Sequence, residues 1–281
     1  MKRDKEIEFP DRWEEVSPAE WVYLLKLREA LIVKPGVTLL DVKRAWCDFA
    51  LRRRGLKGAD RRAYLLLVDR LATGHLDWMW RVGDGGVELA FDSTANPLPR
   101  WRGLVGPRDH GEDLTFGEFR HASALMNAYT ASGETAHLLA FCGTLYRPAG
   151  KRVGCADFDG HWREPFHPSR LELYVSRASA IPPHVAWGIY AWFGAFCRHL
   201  LEGAFVIGGK EVSFAPLFTR RDRGDGGAND LGLESVRFSV AESGIFGDAA
   251  KTDDTPLLTV LMKLLDDKWH ADALLERMSR K

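Results

Sequence analysis

Apolar residues spaced three and four positions apart, bounded by residues that start and stop helices, recur along most of this chain. This spacing places apolar side chains on one face of an α-helix, so it constrains the fold more strongly than any other feature. Ser17-Pro18-Ala19-Glu20 is typical of a helix start, because it combines a capping serine, a proline at the first helical position and a glutamate three residues after the cap. We predict helices that begin near residues 17, 38, 60, 115, 134, 171, 183, 231 and 255.

Residues 81–113 are the least helical part of the sequence and contain turns rich in glycine and proline. Within them, residues 87–91 alternate apolar and polar side chains, as a β-strand does. The predicted fold class is therefore mainly α, an irregular multi-helix bundle with one small β-hairpin or extended segment near residues 81–105. A polar linker is predicted over residues 208–229.

The loop near residue 110 is the best position for a domain boundary. It predicts an N-terminal helical domain over residues 1–110 and a C-terminal helical domain over residues 111–281, with one single domain as the alternative. The helix pairs 17–54 and 115–146 open with the same Ser/Thr-x-x-Glu pattern. They are either a duplicated unit or two helix pairs that share only capping chemistry.

Sequence motifs of common enzymes are absent: there is no phosphate-binding glycine loop, no H-E-x-x-H and no G-x-S-x-G. Cys197 has His199 as a near neighbour, but residues two apart on a helix point in different directions. Adjacent acids such as Asp253 and Asp254 also diverge on a helix and are typical of solvated faces. We predict a protein that is not an enzyme and needs no cofactor.

The loop at residues 150–167 is the one place where metal-ligating residue types gather. They are Cys155, Asp157, Asp159, His161 and His167. Structural zinc sites usually use paired ligands two to five residues apart, and this spacing is not met. We predict a polar surface loop without a metal, and keep an enzyme with an unrecognised site in the 150–167 loop as an alternative function.

One helix, predicted from about residue 183 to 201, is unusually aromatic. Its large side chains are Trp187, Tyr190, Trp192, Phe193 and Phe196. They are interpreted either as the core of the fold or as an interface for an apolar helix of a partner. Pro182 and Pro183 leave too short an apolar run to cross a bilayer, so we predict no membrane span.

The formal net charge is zero, from 39 basic and 39 acidic residues, which argues against a general nucleic-acid binder. Residues 43–62 nevertheless carry eight basic and two acidic residues. The candidate basic contact surface is Arg52, Arg53, Arg54, Lys57, Arg61 and Arg62. It is interpreted as a solvated face, a contact with a protein or with the acidic end of a second copy, or a nucleic-acid surface.

Four scattered cysteines and a charged N-terminal segment without an apolar stretch predict a cytoplasmic protein.

Three short patches resemble uncharacterised proteins of bacteriophages and prophages: residues 9–17, residues 114–119 with 145–148, and residues 241–248 with 255–257. The resemblance implies a role in tail morphogenesis. It suggests a tail-assembly chaperone in the host cytoplasm that covers apolar helical segments of a tape-measure-like partner or other tail proteins, with self-association also open. The alternative is a structural virion protein, such as a connector or a baseplate-associated protein. The resemblance carries over no catalytic residue.

Overall fold

The computed structural model describes residues 8–56, 60–83, 86–218, 237 and 240–280. These residues are predominantly α-helical with a few short antiparallel strand pairs, so the prediction of a mainly α fold is confirmed. They form two compact units, one from the described residues up to 98 and residues 181–192, and the other from residues 99–180 and the described residues from 193 onwards. The proposed domains 1–110 and 111–281 stay a prediction.

The first unit is built mainly from three successive helices. Its elements are α1 (Pro18–Val33), α2 (Leu39–Arg53), α3 (Arg61–Gly74), β1 (Trp80–Gly83) and β2 (Gly86–Leu89). Ser17 and Glu20 form the predicted capping box at the start of α1. The Glu20 backbone carbonyl accepts a hydrogen bond of 3.0 Å from the buried Trp46 indole, which joins α1 to α2.

The second unit packs further helices with short strands. Its helices before residue 180 are α4 (Phe116–Ser132), α5 (Thr135–Leu145) and α6 (Leu171–Ala178). In helix α7 (Pro183–Glu202), residues 183–192 belong to the first unit and residues 193–202 to the second. The later helices are α8 (Ala215–Phe218), α9 (Ala249–Asp254) and α10 (Leu257–Ser279).

Antiparallel strands occur in more places than the single hairpin that the sequence predicts. The β1–β2 pair lies where the hairpin is expected. The additional strands are β3 (Arg100–Trp101), β4 (Leu104–Val105), β5 (Arg147–Pro148), β6 (Phe205–Ile207) and β7 (Lys210–Val212). Strands of two or three residues are too short to show alternation, which explains why sequence reasoning misses them.

The predicted linker over 208–229 contains β7 and α8 in its described part, and residues 219–229 lie outside the described residues. Most of the helix predicted to begin near residue 231 also lies outside them.

The two helix pairs that open with the same capping pattern share a second feature. In the first unit the buried Glu20 pairs with Arg54, which directly follows α2. In the second unit the buried Glu118 pairs with Arg147, which follows α5. The likeness of the two segments therefore extends from the first turn of one helix to the end of the next.

No helix among the described residues is long and apolar enough to cross a membrane.

Candidate functional site

A buried ionic network at the start of α4 organises one face of the second unit. The Glu118 side chain, 3% exposed, is bonded by the guanidinium groups of Arg147 and Arg163. Arg163 Nη2 donates to Glu118 Oε2 over 2.9 Å, and Arg147 Nε donates to the Glu164 carbonyl over 2.7 Å. Burial alone would raise the pKa of Glu118, but the charges of the two arginines outweigh it and hold this pKa below its ordinary value.

A second ionic group lies where α9 meets α4. The Asp253 carboxylate lies 2.9 Å from Arg237 Nε and accepts a hydrogen bond from Arg120 Nη2 over 3.3 Å. The two helices approach closely because residue 117 is glycine: a Cβ atom there would lie 2.9 Å from Asp253 Cβ. The expectation of a solvated face is therefore wrong for Asp253, which is 17% exposed and held by two arginines.

Two adjoining spaces lie beside these groups: Arg237 and Asp253 line a polar cleft that opens to solvent, and Glu118, Arg147 and Arg163 line a narrower crevice. The cleft has a volume of about 230 Å³, and the crevice that adjoins it has a volume of about 20 Å³. The titratable side chains lining the cleft are His121, His167, Arg237, Asp253 and Asp254. Asp254, Thr115 and Phe166 line both spaces.

Two side chains in the cleft have pKa values that are shifted toward their uncharged forms. Partial burial raises the pKa of Asp254, and Asp253 and Glu118 add to this rise, whereas His167 and His161 oppose it. Burial, helped by the positive charge of Arg120, lowers the pKa of His121. Shifts of this kind are common at binding and catalytic sites, but structural ion pairs also produce them.

The 150–167 loop forms one wall of the narrower crevice. Its base is closed by hydrogen bonds from Gly150 N to the Trp162 carbonyl at 3.0 Å and from Glu164 N to the Pro148 carbonyl at 2.8 Å. His161 and His167 line the crevice and the cleft respectively, whereas Cys155, Asp157 and Asp159 are exposed away from the lining. Across the described residues no group of three such side chains is placed to hold a metal ion.

The structure separates the five aromatic residues predicted on α7. Trp187, Tyr190 and Trp192 belong to the first unit, and Phe193 and Phe196 to the second. Trp192, Phe193 and Phe196 are buried, and the Trp192 indole donates to the Thr94 carbonyl over 3.0 Å. Trp187 and Tyr190 are half-buried, and the Arg28 guanidinium lies 3.4 Å from the centre of one Trp187 ring. The assignment of α7 as a partner site stays a prediction. Of its five aromatic residues, Trp187 and Tyr190 are the two with part of their surface exposed.

The predicted basic surface is only partly available to a partner. Arg54 is tied to Glu20 and donates to the Glu15 carbonyl over 3.1 Å, and Arg52 pairs with Asp48 over 2.9 Å. Arg53, Arg61 and Arg62 are exposed. Lys57 lies outside the described residues. The use of this surface in binding stays a prediction.

Sequence reasoning did not identify His121, Arg120 or Arg237 as site residues, because Arg237 is far in the sequence from the two α4 residues and no spacing motif links them. It noted Asp253 and Asp254 only as adjacent acids. The one signal that points to this place is the Thr115–Glu118 capping box, whose buried glutamate requires cations around it.

The cysteines give a direct test of the nucleophile hypothesis. Burial raises the pKa of Cys197 to about 12, and the His199 ring contacts the Ala204 carbonyl at 3.1 Å. We expect a thiol reagent at pH 8 to modify only the exposed Cys155 in the folded protein, and all four cysteines after unfolding. With a reagent that releases a chromophore on reaction, the absorbance gives the number of cysteines modified in the folded and in the unfolded protein. Rapid modification of Cys197 in the folded state would show an activated thiol and contradict this expectation.

A scan against protein-family models found no match for this chain, and searches of curated proteins and of solved structures found no similar protein.

Proposed function

We propose that this chain is a non-enzymatic assembly protein that covers an apolar helical segment of a partner protein. Bacteriophage tail assembly, with a tape-measure-like partner, is the setting that the sequence resemblance suggests. The observation that carries the proposal is an apolar stripe in the last turns of α10 that is exposed to solvent. We call Ala271, Leu274, Leu275 and Met278 the α10 stripe.

The α10 stripe repeats the buried face of the same helix. Leu257, Val260 and Leu261 are buried in the second unit. One heptad later the same helical positions are Leu264, Asp267 and Lys268, and two heptads later they are Ala271, Leu274 and Leu275, so apolar side chains return to this face in the last turns of the helix. There the side chains are exposed: Leu274 by 58%, Leu275 by 54% and Met278 by 73%.

An apolar stripe on a lightly packed helix has a physical cost. The last 14 residues of α10 extend about 21 Å with few buried side chains, and a helix of this length is marginal on its own in water. Covering Leu274, Leu275 and Met278 would contribute roughly 1.5–3 kcal/mol for each side chain fully buried. Burial of these side chains by a partner helix along the α10 stripe would therefore both contribute to the binding free energy and stabilise the end of α10.

The charges on α10 favour recognition by shape and apolar contact. Three of its four acids are paired with cations one helical turn away, as Lys263–Asp267, Lys268–Asp272 and Arg280–Glu276, and the fourth, Asp266, lies 3.5 Å from the His270 ring. Such pairs support the helix itself by a few tenths of a kcal/mol each. Because these carboxylates already have partners within α10, it offers little net charge to the basic surface of a second copy. We therefore favour an apolar helix of another protein as the occupant.

A pair of charge-matched variants tests this proposal. Leu274→Glu/Leu275→Glu changes the charge by −2 on the α10 stripe, and Ala273→Glu/Arg277→Gln changes it by −2 on the opposite side of the helix. We expect the wild type to bind a hydrophobic fluorescent dye, the stripe variant to lose most of that signal, and the opposite-side variant to keep it. The free energy of unfolding should change by less than about 0.5 kcal/mol in both, because all four positions are exposed.

Two results would count against the proposal. Absence of dye binding by the wild-type monomer would show that the stripe is covered in the free protein. Sedimentation velocity gives the second result. If the wild type forms concentration-dependent dimers and only the stripe variant fails to form them, the occupant of the α10 stripe is a second copy of this chain and not a helix of another protein.

A chaperone would make this contact only during assembly, whereas a structural virion protein would keep it in the finished particle. Mass spectrometry of purified particles distinguishes them, since a chaperone leaves the particle and a structural protein stays in it.

A further inference from the structure

The polar cleft of the second unit is separate from the α10 stripe, and its chemistry differs. It is lined by charged and imidazole side chains together with the apolar residues Phe166, Pro168 and Ala250. A concave site where a few polar side chains converge is a common form of binding site for a small ligand or a single side chain.

Asp254 differs from the other carboxylates around this cleft. Arginine side chains hold each of the other three: Arg163 Nε lies 3.4 Å from Asp113 Oδ2, Arg147 and Arg163 hold Glu118, and Arg120 and Arg237 hold Asp253. Over the ranges that the structure describes, Asp254 makes no ion pair or hydrogen bond with a protein group.

The space in front of Asp254 suits a donor group on an extended chain. Asp254 is exposed and lines both the cleft and the crevice, so a group bound to it is reached directly from solvent. The imidazoles of His121 and His167 line the same cleft, and a neutral imidazole can accept a hydrogen bond. A carboxylate without a cation beside two imidazoles offers acceptors to a group that carries several N–H donors.

The arginines in and around the cleft and the crevice are poorly placed to bind an anion instead. Arg147 and Arg163 are buried and bonded to Glu118, and Arg120 and Arg237 are paired with Asp253. An anion would have to displace one of these carboxylates and leave it buried without a partner.

We propose that this cleft binds a guanidinium cation, with the Asp254 carboxylate as its acceptor. The cation is either the side chain of an arginine in a partner protein or a free small guanidinium compound. No bond is made or broken in this step.

Isothermal titration calorimetry with three probes tests the proposal: methylguanidinium, a capped Gly-Arg-Gly peptide and inorganic phosphate. We expect the wild type to bind at least one of the two cations and not phosphate. Tighter binding of the peptide than of methylguanidinium indicates a protein side chain as the natural ligand, whereas equal or tighter binding of methylguanidinium indicates a free small cation.

Asp254→Asn removes the proposed acceptor, and Glu172→Gln removes an exposed carboxylate on α6 as the matched control. We expect Asp254→Asn to weaken cation binding at least tenfold and Glu172→Gln to leave it unchanged. Absence of cation binding by the wild type, equal binding by Asp254→Asn, or binding of phosphate in place of the cations would each overturn the proposal.

The thermal stability of Asp254→Asn shows that weaker binding does not come from a failure to fold. The pKa of Asp254 is raised in the folded state, so ionisation of this carboxyl lowers stability as the pH rises. The amide that replaces the carboxyl in Asp254→Asn does not ionise, so this variant should melt at the same temperature as the wild type or higher at neutral pH.

Discussion

Replacement of Glu118 by alanine is expected to lower the free energy of unfolding by about 3–5 kcal/mol, since it leaves two buried arginines without their shared carboxylate. The variant also loses the side chain that completes the capping box of α4. Urea unfolding followed by circular dichroism measures the change. Glu276→Gln, which breaks an exposed pair on α10, is the control and should cost less than about 0.5 kcal/mol.

The same glutamate gives the protein a defined dependence on acid. The pKa of Glu118 is lowered in the folded state from its ordinary value of 4.5, so its contribution is present above that value and is lost as the pH falls below it. Glu118→Gln should therefore flatten the fall in stability on the acid side relative to the wild type. A loss below about 1 kcal/mol for Glu118→Ala at pH 7 would mean that the network is not a structural element of the second unit.

Phe196→Ala is the second substitution expected to have a large effect, with a loss of about 3–5 kcal/mol. The Phe196 ring is fully buried and lies 6.2 Å from Phe193, 6.3 Å from Phe119 and 6.5 Å from Phe205, measured between ring centres. Truncation would leave a cavity among these rings. The control is Phe158→Ala, because Phe158 is 37% exposed in the 150–167 loop and should change stability by less than about 1 kcal/mol.

This experiment also separates the two interpretations of the aromatic helix. Truncation of a core residue lowers the stability of the free protein, whereas truncation of a partner-binding residue lowers the affinity for the partner and leaves that stability unchanged. A Phe196→Ala variant with unchanged stability and reduced binding to an apolar helix would contradict the core interpretation of the second half of α7.

The helices could be predicted because their signals are local. Thr38, Thr115 and Ser17 each accept a hydrogen bond from the backbone of the residue three positions on, as the capping boxes predict. Gly133 ends α4 in a left-handed conformation, which glycine adopts without strain. Start and stop signals of this kind act within one turn and so can be read from adjacent residues.

The polar cleft could not be predicted in the same way, because it depends on distant partners. Glu118 meets Arg147 and Arg163, which lie 29 and 45 positions away, and Asp253 meets Arg120 across 133 positions. No spacing motif records such contacts. The exposure of the α10 stripe is also invisible in the sequence, since its heptad positions are the same as those of the buried half of the helix.

Hydrogen exchange of α10, read by mass spectrometry, tests the central claim most directly. The account predicts slow exchange over residues 257–265 and fast exchange over residues 266–279 in the free protein, because only the first segment is buried. An amphipathic peptide of about 18 residues, with leucines spaced three and four positions apart, should slow exchange over 266–279. A scrambled isomer of that peptide should not. Equal protection of both segments in the free protein, or no change with the amphipathic peptide, would contradict a stripe that receives a partner helix.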